Sequence, residues 1–471
     1  MGQDFRLSKP VLQVYNTLTR KKEPFTPLEE GKVRMYVCGV TTYDYCHIGH
    51  ARMFVAFDVI ARYLRHRGYD LTYVRNITDI DDKILNRAKE NGELYSDLTA
   101  RFIAASHEDE AALNVQRPDV EPRATAHIDE IIALIERLIR DDYAYKVSNG
   151  DVYYAVAQFK GYGKLSNKNP EELLAGARID IGELKRDPRD FALWKAAADG
   201  EVGWDSPWGY GRPGWHIECS AMSTCCLGDS FDIHGGGSDL VFPHHENEIA
   251  QSEAATGKPF SRYWLHNGAV RVDNEKMSKS LGNFFTVRDV LQKYSGEVIR
   301  YLLTASQYRS PINYSEQGLH QASVALERFY TALRGLDVAH ARDLVNSRFE
   351  KAFCEAMDDD FNTPVALGVM FDLVREINRQ RESSPDTAAE LGRLLIKLGH
   401  IIGILYSDPE TFLQGQGGDV DAALIESLIA QRREARASKD WARADEIRDQ
   451  LTAMKVVVED GADGSSWRIE R

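Results

Sequence analysis

The sequence has 471 residues, 43% hydrophobic and 28% charged, with a net charge of −14. At ~100 to 200 residues per domain, that length holds two to four domains, and the composition excludes a disordered, collagen-like or broadly basic nucleic-acid-coating chain. Six scattered cysteines (Cys38, Cys46, Cys219, Cys225, Cys226, Cys354) exclude a disulfide scaffold and leave metal ligation or burial as their uses. No long apolar run and no signal-peptide core are visible, so a cytoplasmic protein with no membrane partner is expected.

Residues 33–40 (VRMYVCGV) predict a short buried strand, 51–68 an amphipathic helix stopped by Gly68, and 71–80 a second strand. Strand, crossover helix and strand make a βαβ unit, the seed of a parallel sheet, and ligands of such sheets bind beyond the carboxyl ends of the strands. Residues 121–214 carry many breaks (KRDPRD, DSPWGYGRPGW) and read as an insertion. Strand-like runs at 230–237 and 263–272 follow it and complete the interrupted fold. From Asp289 onward the periodicity is helical and predicts a bundle. Gly415, Gly417 and Gly418 suggest a linker into a small C-terminal domain with helical residues 422–451 and a hairpin-like tail, 455–471.

His47, Ile48, Gly49 and His50 lie on the turn between the first strand and its helix. Two imidazoles around a glycine suit a phosphate chain, because glycine permits close approach and a helix N-terminus favours anions. A chance histidine-rich turn is the alternative. Lys276, Met277, Ser278, Lys279 and Ser280 lie in a polar stretch where two lysines on a mobile loop could neutralise charge developing on a triphosphate; an exposed basic turn is the alternative. Together, HIGH near the start and KMSKS after an α/β region resemble the two signatures of class I aminoacyl-tRNA synthetases. That resemblance implies ATP and an amino acid without choosing which one.

Cys38, Cys219, His244 and Glu248 offer two thiols, an imidazole and a carboxylate, a reasonable zinc set although no CxxC spacing announces it. Five blocks, at residues 35–52, 73–84, 211–222, 234–254 and 273–291, resemble those of the cysteinyl-tRNA synthetases, in family order and spacing. The resemblance runs from the N-terminal region to the tail. It implies that Cys38, Cys219, His244 and Glu248 hold a zinc ion that receives the substrate thiol. It implies further that Gly39, Thr78 and Trp215 line the cysteine pocket and that Asp239, with Gly236 and Gly237, lies near the adenosine ribose. Core packing is the alternative for Trp215. His216, His234 and His245 remain open between support of the ligands, adenylate contacts and plain structure. No role falls to Cys46, Cys225, Cys226 or Cys354, and no editing site is expected.

Residues 433–451 resemble the family's anticodon-binding segment, with Arg436, Trp441, Asp445 and Arg448 at matching positions and Asp460 in the tail. A tryptophan can stack on an unpaired base while Asp and Arg read base edges. An exposed amphipathic helix with one buried tryptophan is the alternative, since seven basic residues against five acids between Gln431 and Lys455 is a small excess.

The expected architecture is therefore α/β: a Rossmann-like parallel-sheet catalytic domain with an insertion, then a helical bundle and a small C-terminal anticodon-binding domain. The boundaries read as 1–120 and 215–265 for the two catalytic halves, 121–214 for the insertion, 266–325 for the KMSKS loop and stem-contact region, 326–412 for the bundle and 413–471 for the last domain. The expected partners are tRNA(Cys), cysteine and ATP with Mg²⁺, and the resemblance favours a monomer. Two rivals stand beside this reading: a ligase transferring cysteine to an amino sugar, which lacks the anticodon segment, and a catalytically silent RNA-binding relative.

Overall fold

The computed structural model describes residues 11–168, 184–198, 200–272, 275–276, 284–345, 347–414, 422–461 and 464–469. Lys279 and the glycines at 415, 417 and 418 lie outside the described residues. The chain divides into two compact units, the first covering residues 1–296 with 306–313 and 355–363, the second the remainder.

In the first unit, β1 (Gln13–Asn16) and β2 (Lys21–Pro24) form an antiparallel hairpin. β3 (Lys32–Val37) then enters helix α1 (Ile48–His66), which leads into β4 (Asp70–Arg75). The helix is apolar almost all round and buries Met53, Phe54, Phe57, Val59, Ile60, Tyr63 and Leu64. Of its three buried charged residues, Asp58 and Arg62 pair with each other at 2.7 Å and Arg52 donates to the Gln307 carbonyl at 2.9 Å, as burial of charge requires. Gly68 follows at φ +87°, a backbone conformation glycine adopts without strain. β4 ends at Arg75, so the expected second strand is shorter than residues 71–80. The remainder turns to pair with residues 40–42 and 122–125.

After β4 the chain leaves the sheet for more than 150 residues. Helices α2 (Asp82–Asn91), α3 (Tyr95–Ala112) and α4 (Ile128–Arg140) come first, followed by an antiparallel sheet in the order β5–β6–β7–β8 (Ala144–Lys146, Val152–Tyr154, Phe191–Ala196, Gly211–Pro213). Ile131, Ile135 and Leu138 recur on one face of α4 and pack with Tyr154 and Trp194 of that sheet into a separate core cluster. Helix α5 (Trp215–Leu227) brings the chain back to β9 (Phe231–Gly237), helix α6 (Glu246–Thr256) and β10 (Ser261–Asn267). The sheet order is β10–β9–β3–β4, all parallel, with Met35 opposite both Tyr73 and Ile233. The strand order reverses between β3 and β9. In an open parallel sheet, the crevice at that reversal is where a ligand binds.

The second unit is helical. Its helices include α7 (Glu316–Leu333), α8 (Thr363–Gln380) and α9 (Pro385–Ile402), joined by rings such as Phe329 on Phe371 with centroids 4.6 Å apart. Pro385 opens α9 at a position where its missing N–H costs nothing. The C-terminal segment pairs helices α10 (Ala422–Ala437) and α11 (Trp441–Ala453) with an antiparallel hairpin, β11 (Val456–Gly461) and β12 (Gly464–Ile469). Ile425, Leu428, Ile447, Leu451, Val456 and Trp467 form its core. Arg334 anchors the hairpin by donating to the Trp467 carbonyl at 2.9 Å. Among the described residues no helix is long and apolar enough to cross a membrane.

Candidate active site and metal-ligand cluster

The carboxyl ends of β3 and β9 carry the groups that the sequence singles out. Cys38 follows β3 directly, and its amide donates to the Gly235 carbonyl of β9 at 3.0 Å. Cys219 sits on α5. His244 lies just after a kink at which Phe242 is extended (φ −143°, ψ 133°), and Glu248 lies in the first turn of α6. The sequence suggests one regular helix through residues 243–251. The structure instead kinks at the extended Phe242 before α6 begins, and still brings His244 Nε2 to 3.1 Å from Glu248 Oε1.

Cys38, Cys219, His244 and Glu248 are all buried, with one ligand atom from each lying within 4.8 Å of the others. Burial together with Cys219 and Glu248 pushes the Cys38 thiol well up, and burial pushes the Glu248 carboxyl well up. Two thiols and a carboxyl enclosed together are stable as anions only beside a cation, and this donor set suits a tetrahedral metal. A second set, Cys38, His234, His245 and Glu248, also converges. Two of its imidazoles are already engaged, since His234 Nε2 is 2.9 Å from Glu248 Oε2 and His245 Nδ1 is 2.8 Å from His266 Nε2. The first set, with two soft sulfurs, is the better metal site.

The open question about the neighbouring histidines is settled in part by these contacts. His216 Nδ1 lies 2.9 Å from His244 Nδ1, so one ring fixes the tautomer and orientation of the other. His234 stacks on Trp264 at 4.4 Å and braces Glu248. His245 is held by a chain through His266 to the Thr17 hydroxyl, 2.8 Å away. Burial pushes His266 down to about 3. Its native form therefore stays neutral while the unfolded chain takes up a proton near pH 6.5, and stability falls as pH drops through that window. At pH 5 the loss from this one ring is about 2 kcal/mol. His266→Gln should flatten the decline of the unfolding free energy between pH 7 and 5, measured by urea titration, by that amount.

Around the cluster, the turn after β3 is stitched to the turn after β4. Gly39 N donates to Asn76 Oδ1 at 2.9 Å, Thr42 N donates to the Thr78 carbonyl, and Thr78 N donates to that of Val40. A Cβ on Gly39 would lie 1.8 Å from the Asn76 carbonyl oxygen, so only glycine fits there. Trp215 opens α5 and lies over His244 with ring centroids 4.2 Å apart. It is 38% exposed, which removes the core-packing alternative. The glycines of β9 answer to packing more directly than the sequence suggests. A Cβ would strike Phe57 from Gly235, His245 from Gly236, and the Asp239 carboxylate from Gly237. Asp239 itself is exposed, in the short turn Ser238–Leu240.

His47 is the N-cap of α1. Its Nδ1 accepts from the His50 amide at 3.2 Å while His50 Nδ1 accepts from the His47 amide at 3.4 Å, a reciprocal capping box. The two rings stack at 3.6 Å, and burial with the neighbouring ring pushes His50 well down. The His50 ring is therefore held neutral, and the pair stands beside Gly49 at the positive end of a helix, a place that suits an anion. Lys276 has its backbone in a short strand, Glu275–Lys276, paired with residues 271–272.

In the C-terminal segment, Trp441, Asp445 and Arg448 fall at i, i+4 and i+7 on α11 and share one face. Trp441 is 61% exposed; the buried tryptophan of this segment is Trp467. Arg448 pairs with Asp445 at 2.9 Å, Arg436 lies in the last turn of α10, and Asp460 pairs with Ser465 across the hairpin. The residue that sequence reasoning passes over is Glu218, which is buried beside Cys219. Burial and the nearby Cys219, Asp81 and Asp79 push its carboxyl well up, against a smaller lowering influence of Thr78. Its adjacency to a proposed ligand is the one available signal.

The parallel sheet, the HIGH cap and the crevice between β3 and β9 define a class I aminoacyl-tRNA synthetase. Residues 24–324 match the family of "tRNA synthetases class I (C) catalytic domain", residues 352–406 the DALR domain, and residues 422–468 the cysteinyl-tRNA ligase anticodon binding domain. The fold is shared with methionyl-tRNA synthetase of Mycobacterium tuberculosis (TM-score 0.56, 16% identity, covering 79% of this chain and 89% of that one). A leucyl-tRNA synthetase of Agrobacterium radiobacter is similar too (TM-score 0.55, 12% identity, 82% and 87%). Cysteine–tRNA ligases of Pseudomonas aeruginosa and Azotobacter vinelandii are 64% and 63% identical over 98% and 97% of this chain and 100% and 99% of theirs. The chain belongs to the cysteine–tRNA ligase family.

Proposed function

We propose that this chain selects cysteine through a zinc ion held by Cys38, Cys219, His244 and Glu248, activates it with Mg²⁺-ATP, and charges tRNA(Cys) as a monomer in the cytoplasm. The observation that carries this reading is the buried convergence of two thiols, an imidazole and a carboxyl at the mouth of the sheet crevice. When bound, zinc would supply an acceptor that takes a thiolate readily and a serine hydroxyl poorly, a discrimination that packing alone limits to ~1 to 3 kcal/mol.

The chain's own groups supply the rest. His216 and His234 orient His244 and Glu248, and Trp215 covers the ligand imidazole. Gly39 and Thr78 border the cysteine. The cysteine carboxylate attacks the α-phosphate of ATP, pyrophosphate leaves, and cysteinyl-adenylate forms. His47 and His50 donate to the phosphates; Gly49, Gly237 and Asp239 border the nucleotide; Lys276 and Lys279 neutralise the departing pyrophosphate. The terminal ribose hydroxyl of the tRNA then attacks the adenylate carbonyl and AMP leaves.

We assign the two catalytic halves to 1–120 and 215–265 around the insertion 121–214, the KMSKS and stem-contact region to 266–325, the bundle to 326–412 and anticodon binding to 413–471. Arg436, Trp441, Asp445, Arg448 and Asp460 would read the anticodon.

Cysteine-dependent ATP–pyrophosphate exchange, followed by charging of tRNA(Cys), tests the whole reading. Absence of exchange in zinc-loaded protein would sink it, and exchange without charging would favour transfer to another acceptor. Trp441→Ala should leave exchange unchanged and raise the KM for tRNA by roughly 5- to 100-fold, the worth of one lost base stack.

A further inference from the structure

We propose that Glu218 receives the α-amino group of the substrate cysteine, with Thr78 beside its carboxyl; this rests on the reading that the cysteine thiol enters the cluster at Cys219. Glu218 adjoins Cys219 on α5 and lies one helical turn beyond Trp215. Thr78, close to its carboxyl, is tied to Val40 and Thr42 and so stands beside Cys38 and Gly39. The carboxyl therefore sits at the same strand ends as the two thiols.

Glu218 is 1% exposed, and its Oε2 has no hydrogen-bond partner among the described residues. A buried acceptor without a donor is unfavourable, and native structures retain one where a ligand completes it. The other acids nearby are occupied. Asp79 accepts from the amide and hydroxyl of Thr125, at 3.0 and 2.6 Å, and Asp81 caps α2 through the Lys83 amide at 2.8 Å. Glu218 Oε2 is thus a buried carboxylate acceptor with no donor among the described residues, beside the carboxyls of Asp79 and Asp81.

Cysteine brings three groups. Its thiol goes to the ligand cluster and its carboxylate must face ATP, which leaves the ammonium, the one cationic donor among them, for the open carboxyl oxygen. The role is one of specificity. A metal alone accepts any small thiol, whereas a metal and a carboxyl together demand a thiol and an amine on neighbouring carbons.

The test uses full-length, zinc-loaded protein and two ligands. Cysteine carries the amino group; 3-mercaptopropionate keeps the thiol and carboxylate but lacks it. In Glu218→Gln, which preserves shape, the KM for cysteine in exchange should rise by roughly 30-fold or more, since a site built to bind a charged donor loses it. The inhibition constant of 3-mercaptopropionate, the KM for ATP and the zinc content should stay within about threefold of wild type. Thr78→Val should move the same constants in the same pattern by a smaller factor. Equal weakening of both ligands would overturn the proposal in favour of a pocket-shaping role, as would an unchanged KM for cysteine. If 3-mercaptopropionate fails to inhibit wild-type exchange, the thiol reading itself has failed and takes this assignment with it.

Discussion

Cys219→Ser is expected to lose bound zinc and cysteine activation together, with kcat/KM for cysteine in pyrophosphate exchange falling at least ~10³-fold, about 4 kcal/mol of transition-state stabilisation. Serine keeps the size of the side chain but replaces a soft thiolate with a hydroxyl that binds zinc poorly and does not ionise near neutral pH. The remaining donors, Cys38, His244 and Glu248, cannot close a tetrahedron around the ion by themselves. The fold should survive, because His234 stacks on Trp264 and braces Glu248 through contacts that do not involve position 219. Metal content after dialysis and the KM for cysteine and for ATP are the measurements. Loss confined to cysteine would identify the cluster as the substrate receptor. A zinc-free variant with unchanged cysteine affinity would refute that role and leave the metal as a structural element.

Local chemistry makes part of this site legible in the amino-acid sequence. The buried strand expected at 33–40, the helix stopped at Gly68 and the C-terminal hairpin follow from short-range periodicity and turn residues; helix and hairpin stand where that pattern puts them, while the strand ends earlier, at Val37. The reversal of strand order between β3 and β9 is not local. It depends on β9 returning to β3 after the excursion through α2–α5, which no window of sequence records. The metal ligands share that difficulty, because 181 residues separate Cys38 from Cys219 and only the resemblance to known family blocks joins them.

The kink at Phe242 is hidden for a further reason. His244 and Glu248 are spaced as one helical turn, so the extended Phe242 just before them leaves no periodic signal; His244 and His245 pack against the rings of Trp215 and His266. Glu218 escapes notice because a glutamate in a polar helical stretch ordinarily faces solvent, and only the tertiary structure shows it enclosed.

His47→Asn should separate the two duties of the HIGH turn. Asparagine is among the best N-cap residues, so its side chain can accept from the His50 amide as His47 Nδ1 does, and α1 should keep its first turn. What the substitution removes is the imidazole Nε2, the second ring nitrogen, which in the proposed mechanism donates to the phosphate. Loss of one preorganised donor to a developing phosphate charge costs ~10² to 10³ in kcat, about 2.7 to 4 kcal/mol, whereas loss of a cap costs only ~1 kcal/mol of stability. His47→Asn should therefore lose exchange activity by that factor with a melting temperature near wild type, and His47→Ala should lose both. Cysteine binding and zinc content should not change in either, because the ligand cluster draws on Cys38, α5 and α6 rather than on the cap. Retained exchange in His47→Asn together with a fall in His47→Ala would mean that the ring serves the helix and not the phosphate.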